Sequence, residues 1–200
     1  MYLCADKYFN YKLKNYLTMK KLLLAAVALM ATMSVNAQQM FLKPMVGGTL
    51  TTLTGDVDDA KMKVGLGAGA EFGYYISDQF AVTAGLLYTM QGCKDDNADE
   101  NIKLDYLNIP ILANYYVAPG LAIKAGIQPG ILCSAKFADY DIKDAYKSLD
   151  ISIPIGASYE FSDFVIDARY NLGVSNIYDN DHFSIKNSVI MLTLGYKIPF

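Results

Sequence analysis

The sequence has 200 residues, which is enough for one domain and barely for two. It is 53% hydrophobic and 18% charged, with 16 Tyr and no Trp, and its longest continuously apolar run, Leu22 to Ala31, is too short to cross a bilayer as a helix. A net charge of −3 without a basic cluster argues against nucleic acid as a partner.

The N-terminal part has the layout of a secretory signal peptide. A basic start at Met19-Lys20-Lys21 precedes an apolar stretch, and the small-residue sequence Val35-Asn36-Ala37 follows it. The alternative is a buried core helix. Residues 1–18 fit no part of a signal peptide, and we interpret them as a mis-annotated start or a tail. The sequence therefore predicts a signal peptide at 19–37 and a mature domain at 38–200.

From residue 40 onward the dominant signal is an alternation with period two. Between residues 151 and 161 every odd position is apolar or aromatic, whereas the even positions are Ser, Pro, Gly or Glu. Such alternation places the apolar side chains on one face of a strand. The pattern predicts eight strands, at about 40–54, 64–76, 80–91, 102–116, 121–137, 150–161, 164–175 and 190–200.

Local irregularities predict bulges within these strands. The alternation slips by one residue at Tyr106-Leu107, as it does at a β-bulge. Further bulges are expected at Pro110, Pro129 and Pro154, because a proline removes a hydrogen bond from the ladder.

The connections alternate strictly between short and long. Hairpin turns at 77–79, 118–120 and 162–163 separate longer polar stretches near 55–62, 92–101, 138–149 and 176–186. This is the arrangement of an outer-membrane barrel.

A soluble barrel would also alternate, but with its apolar face inside, whereas in lipid that face points outward. Strands of ten to fifteen residues favour lipid, whereas full charges in mid-strand fit either arrangement, and aromatic residues near the short-turn end decide for lipid. Those aromatic residues are Tyr74, Phe80, Tyr115, Tyr159, Phe161, Phe164, Tyr196 and Phe200. The predicted fold is all-β, an eight-stranded antiparallel up-and-down transmembrane β-barrel whose first strand pairs with its last.

Charged side chains fall on the face that would point into the lumen. They are Glu71, Lys124, Glu160, Asp167, Arg169 and Lys197. They could line a pore or form an ion-pair network that fills the barrel. The network is favoured, because the interior of eight strands is just wide enough for side chains to fill. Arg169 is expected to be central, since its planar fork can bond two carboxylates, and inward glycines of the second strand are expected to leave room for the long stems.

One loop contains the residue types of an acyl-transfer site. His182, the only histidine, lies beside Asp181 and close to Ser184. No oxyanion-hole motif accompanies them, so a solvated loop is favoured. We predict no catalytic residue, no cofactor and no enzymatic activity.

An acidic loop offers a candidate cation site. Asp95, Asn97 and Asp99 place oxygen ligands at alternate positions, as Ca²⁺ would require. Glu100 stands where the EF-hand loop needs glycine, and Tyr106 where it needs a bidentate glutamate. A solvated loop is favoured, and no metal site is predicted.

The two cysteines of the predicted mature chain lie in opposite phases of the alternation. Cys133 keeps the phase of outward residues and Cys93 that of inward ones. No disulfide is expected between them.

The segment Tyr106–Leu112, YLNIPIL, resembles the YLEIPLL stretch of Bacteroidetes outer-membrane β-barrel families, which include PorT-like proteins. Gly126–Gly130 resembles the strand that follows in that family, with Pro129 in place of a small or apolar residue. Phe200 resembles the C-terminal aromatic residue by which such proteins are recognised for assembly. The resemblance implies a Gram-negative outer-membrane location, with outer-membrane lipid, lipopolysaccharide and the assembly machinery as partners.

Three classes of function are compatible with these patterns. The first is a structural or surface-interaction barrel, whose outer loops contact a partner that the sequence does not identify. The second is a narrow channel for small solutes, and the third is a barrel enzyme. Eight strands disfavour the channel and a single histidine disfavours the enzyme, so the first class is expected.

Overall fold

The computed structural model describes residues 39–56, 60–95, 101–137, 140–179 and 183–200. They belong to one compact unit, Gln38–Phe200. The predicted signal peptide and residues 1–18 lie outside the described residues. None of the described helices is both long and apolar enough to cross a membrane.

The described unit consists of β-strands and one short 3-10 helix, Lys143–Ala145. The strands are β1 (Met40–Gly55), β2 (Ala60–Lys61), β3 (Lys63–Ser77), β4 (Phe80–Asp95), β5 (Asn101–Asn108), β6 (Ile111–Ala118), β7 (Leu121–Phe137), β8 (Tyr140–Asp141), β9 (Leu149–Phe161), β10 (Phe164–Gly173), β11 (Ile185–Tyr196) and β12 (Ile198–Pro199). Strands β5 and β6 form one segment interrupted at Ile109-Pro110, and β11 and β12 form one interrupted at Lys197.

Eight long segments therefore form one antiparallel sheet that closes on itself. Strand β1 pairs with β3 on one side and with β11 on the other. Following paired residues once round the sheet from Ile131 of β7 leads back to β7 at Leu121, ten residues away. A stagger of this kind accompanies strand tilt in a closed sheet. The predicted antiparallel up-and-down order is confirmed.

The apolar face of the closed sheet is its outer face. Val46, Leu66 and Leu192 are 59%, 61% and 57% exposed, whereas Glu71 and Asp167 are 0% exposed and point inside. A protein folded in water places its apolar side chains inside. The observed inversion is typical of a sheet whose surroundings are hydrocarbon.

At the long-loop end the burial pattern is reversed, with apolar side chains inside the sheet and polar side chains outside. The interior there is an apolar cluster of Leu53, Cys93, Leu104, Tyr106, Leu132, Ala135, Tyr146 and Ile177. Outward positions on the same strands carry exposed lysines, such as Lys94 and Lys103. Burial raises the pKa of the loop residue Tyr146 to about 12, because the phenolate loses hydration. This end is therefore built like a water-facing domain with a dry core.

None of the three bulges predicted at prolines is present. The strand breaks at Pro110, but β4 keeps one register with β5 before the break and with β6 after it, and the register also continues through Pro129, opposite Ile151, and through Pro154, opposite Asn171. The prediction was wrong there because a proline removes only its own N–H from the ladder and leaves the rest of the pairing intact.

The irregularity predicted near Tyr106-Leu107 lies one residue earlier. The register between β5 and β7 shifts between Asp105 and Tyr106, where Cys133 is the extra residue. Cys133 points outward and is exposed, whereas Cys93 is buried inside. No disulfide joins them.

Candidate functional site

Five charged side chains meet inside the closed sheet and form what we call the charged layer. Its members are Lys43 of β1, Glu71 of β3, Lys124 of β7, and Asp167 and Arg169 of β10. None of them is more than 6% exposed. Strand pairing brings Lys43 directly opposite Glu71, and the period of two puts Asp167 and Arg169 on the same inward face.

Arg169 lies between the two carboxylates of the layer. Its Nε donates to Asp167 Oδ1 at 2.5 Å and its Nη2 donates to Asp167 Oδ2 at 2.9 Å. The same Nη2 lies 2.5 Å from Glu71 Oε1. A planar guanidinium is suited to such double contact.

The two lysines complete the layer from the other strands. Lys43 Nζ lies 2.8 Å from Glu71 Oε2 and 3.5 Å from Asp167 Oδ2, and Lys124 Nζ donates to Asp167 Oδ2. Asp167 therefore contacts all three cations, whereas Glu71 contacts two. Three cations and two carboxylates leave the layer with one surplus positive charge.

The charged layer is held together more by charge than by complete hydrogen bonding. Both Glu71 oxygens lie at ion-pair distance from cations without hydrogen-bond alignment, and Arg169 Nη1 is buried without an acceptor in the described part of the chain. The hydroxyls of Ser158 and Thr193, which flank Asp167 on the neighbouring strands, are also buried without a described partner. Removal of one charge from this layer should therefore lower the stability of the folded protein strongly.

The other two residues of the predicted network form a separate group at the short-turn end, the mouth group. Glu160 Oε2 lies 2.6 Å from Lys197 Nζ, and its Oε1 accepts the Tyr116 hydroxyl at 2.6 Å. Lys197 Nζ also donates to Tyr75 Oη and lies 4.7 Å from the centre of the Phe41 ring. An open cleft of about 640 Å³, lined in part by Tyr75, Tyr116 and Glu160, lies beside this group.

Lys43 is the member of the layer that sequence reasoning missed. Pro44 and two glycines interrupt the alternation of β1, so the pattern alone does not assign Lys43 to the inward face. The signal that could have found Lys43 is the spacing of outward apolar residues at Leu42, Val46 and Leu50.

Room for the charged stems comes from glycines other than the expected ones. A Cβ at Gly195 of β11 would lie 2.9 Å from Lys43 Cγ, and one at Gly85 of β4 would lie 2.7 Å from Glu71 Cγ. Gly67 of the second strand instead faces Thr49, Thr89 and Met191. The expectation for the second strand was wrong, because strand tilt offsets the residues that meet across the interior.

Most of the remaining candidates lie outside the part of the chain that the structure describes. Asn97, Asp99, Asp181 and His182 lie outside the described residues, and the Ser184 amide donates to Asp56 Oδ2 at 2.9 Å. Within the described ranges no group of three or more His, Cys, Asp or Glu residues could hold a metal ion.

Phe200 lies at the end of the last strand, on the outer surface. Its amide donates to the Met40 carbonyl at 3.1 Å, and its ring centre is 6.0 Å from that of Phe72. It thus helps join the last segment to the first.

Comparison with known proteins gives one matching family model and several similar structures. Residues 27–179 match the family model described as outer membrane protein beta-barrel domain. Ail of Yersinia pestis, solved in complex with the heparin analogue sucrose octasulfate, is 17% identical over 80% of this chain and 99% of its own, with a TM-score of 0.52. Neisserial surface protein A is 13% identical over 80% of this chain and 97% of its own, with a TM-score of 0.51. No curated protein sequence matches the chain. At these identities the structural likeness concerns the fold alone. The family match covers most of the chain, so this protein belongs to the outer membrane protein beta-barrel domain family and is a protein of the outer membrane.

Proposed function

We propose that the chain is an eight-stranded transmembrane barrel with a filled lumen and a structural or surface-interaction role. The charged layer carries this proposal. Its five buried side chains, contributed by four strands, fill a cross-section of the interior. A barrel of eight strands has room for such side chains but not for a wide aqueous channel as well.

Further layers on both sides of the charged layer support a closed lumen. Towards the short turns lies the mouth group, with the Phe41 ring against Lys197. In the other direction come Met45, Leu87 and Met191, and then the apolar cluster of the long-loop end. Function is therefore assigned to the outer surface and the long connections rather than to solute passage or catalysis.

The finer family assignment is part of the same proposal. The YLNIPIL segment that resembles Bacteroidetes PorT-like proteins spans the break between β5 and β6, where Pro110 lacks an N–H but its carbonyl still accepts a hydrogen bond from the Gly85 amide at 2.9 Å. We assign Phe200 to recognition by the outer-membrane assembly machinery, since its aromatic ring is exposed at the end of the last strand.

Export through a cleaved signal peptide gives a simple prediction. The mature protein is expected to begin at Gln38, because the Val-Asn-Ala sequence precedes it. The intact mass of the protein extracted from membranes tests this. A mass that retains residues 1–37 would contradict the signal peptide.

Conductance distinguishes the filled lumen from a channel. The wild-type protein in a planar bilayer is expected to conduct poorly, and Arg169→Ala is expected to raise the conductance because it removes the largest side chain of the charged layer. Arg169→Lys, which keeps a long cation, is the matched control and should stay nearly closed. A large, steady, ion-selective current through the wild type would favour the narrow channel instead.

A further inference from the structure

The charged layer carries more positive than negative charge. Lys43, Lys124 and Arg169 face two carboxylates, those of Glu71 and Asp167, and all five side chains are buried. Each cation already contacts a carboxylate, but these contacts cannot cancel the third positive charge. A surplus charge in a dry interior is unfavourable unless an opposite charge lies beside it.

The other charged side chains described inside the sheet do not supply this opposite charge. In the mouth group Glu160 contacts Lys197, so that group is neutral. Asp150 lies on β9, six residues from the position that pairs with Arg169, and six residues of a strand span about 20 Å. Lys63 is positively charged and could only add to the surplus.

The layer also contains N–H and O–H groups that lack an acceptor among the described residues. The hydroxyls of Ser158 and Thr193 and the Nη1 of Arg169 are buried without a hydrogen-bond partner. Lys124 Nζ donates to Asp167 Oδ2, which uses one of its three protons. Because an ammonium and a guanidinium can only donate, the group that would complete their hydrogen bonding is an acceptor.

Strand pairing brings several of these donors together around Asp167. Ser158 of β9 and Thr193 of β11 are directly opposite Asp167 of β10, one on each side. Lys124 reaches Asp167 from β7 and Lys43 reaches it from β1, which are the next strands on either side. Both ammonium groups contact the same oxygen, Asp167 Oδ2, so they are close neighbours. Two ammonium groups and two hydroxyls on five neighbouring strands thus surround one part of the interior.

The charge and size of the missing acceptor follow from the layer itself. A water molecule could accept hydrogen bonds from these donors, but it is neutral and would leave the surplus charge in place. One negative charge would cancel it. Side chains fill the interior of a barrel of eight strands, so the acceptor must be a single small ion.

We propose that the charged layer binds one small monovalent anion, of the size and charge of chloride, beside the ammonium groups of Lys43 and Lys124 and within reach of the Ser158 and Thr193 hydroxyls. The bound anion neutralises the layer and is a structural part of the interior. This site rests on the filled lumen proposed above, because an open channel would hold water and mobile ions there instead.

The dependence of stability on the anion tests the site. Urea unfolding of the protein in lipid vesicles is measured while sodium chloride replaces sodium gluconate at constant ionic strength. Gluconate is also monovalent, but it is too large for the layer. Because only the folded state holds the site, a tenfold rise in chloride above its Kd should lower the unfolding equilibrium constant by about tenfold. An unfolding equilibrium that stays constant throughout the exchange would overturn the proposal.

Lys124→Gln is the informative variant, because it reduces the three cations of the layer to two and leaves the layer neutral. Its unfolding should not depend on chloride, even where the variant is less stable than the wild type. Lys197→Gln is the matched control, since it removes a lumen cation outside the charged layer, and it should keep the tenfold dependence on chloride. Equal dependence in the two variants would attribute the effect to salt in general and would refute the site.

Bromide locates the ion without any variant. In crystals of the wild-type protein grown in bromide, one anomalous-scattering peak is expected inside the sheet, within hydrogen-bonding distance of Lys43 Nζ or Lys124 Nζ. A charged layer without such a peak would contradict the proposal. The two proposals fail in different ways. Unfolding that is independent of chloride, in a protein that conducts poorly, would remove the anion site alone, whereas a large steady current would remove the filled lumen and the site with it.

Discussion

Asp167→Asn is expected to lower the free energy of unfolding by about 3–5 kcal/mol, the cost of breaking a dry buried ion pair from one side. Asp167 is the only carboxylate of the charged layer that contacts all three of its cations. The substitution preserves the shape of the side chain but raises the surplus charge of the layer from one to two. Lys124 would then have no carboxylate in contact among the described residues.

Urea unfolding in lipid vesicles measures this loss. Asp163→Asn is the matched control, because Asp163 lies exposed in the turn before the same strand, and its effect should stay within about 0.5 kcal/mol. Glu71→Gln should also destabilise the protein, but less, since Glu71 contacts two cations. If Asp167→Asn and Asp163→Asn had equal effects, water would have to reach the layer and screen its charges.

The number of strands and their faces could be predicted because alternation with period two is a local property of the sequence. The inward placement of Glu71, Asp167 and Arg169 follows from the phase of their own strands. The phase of each strand does not determine which of these side chains contact one another. Glu71 of β3 meets Arg169 of β10 across β1 and β11, and that contact depends on the stagger of the whole closed sheet. For the same reason the sequence grouped Glu160 and Lys197 with the charged layer, although they lie at the mouth.

The ends of the strands were harder to predict than their middles. Strand β4 extends to Asp95 and strand β11 begins at Ile185, in stretches that polarity assigned to loops. Beyond the hydrocarbon region the outward face becomes polar and the inward face apolar, so the alternation inverts. Lys94 then resembles a loop residue in sequence, although strand pairing continues through it. The apolar cluster around Tyr106 and Leu132 was therefore not foreseen.

Leu192→Arg should cost about 2–4 kcal/mol in lipid vesicles, because an arginine on the lipid face is most costly near the bilayer midplane. Leu192 lies in the middle of the outward series of β11, between Ser188 near the long-loop end and Tyr196 at the short-turn end, and is 57% exposed in the isolated protein. Leu149, the first residue of β9 at the long-loop end, is 52% exposed. The two leucines thus have nearly equal contact with the surroundings but differ in depth.

Leu149→Arg is therefore the matched control for depth. It should cost only about 0–1 kcal/mol, since near the interface an arginine side chain can reach the headgroups. In a barrel surrounded by water, both substitutions would expose an arginine at an already exposed position and would change stability by similar small amounts. Urea unfolding of the two variants in the same vesicles measures the difference. A clear excess for Leu192→Arg supports the transmembrane orientation, and equal small effects would contradict it, because only hydrocarbon distinguishes two equally exposed positions by their depth.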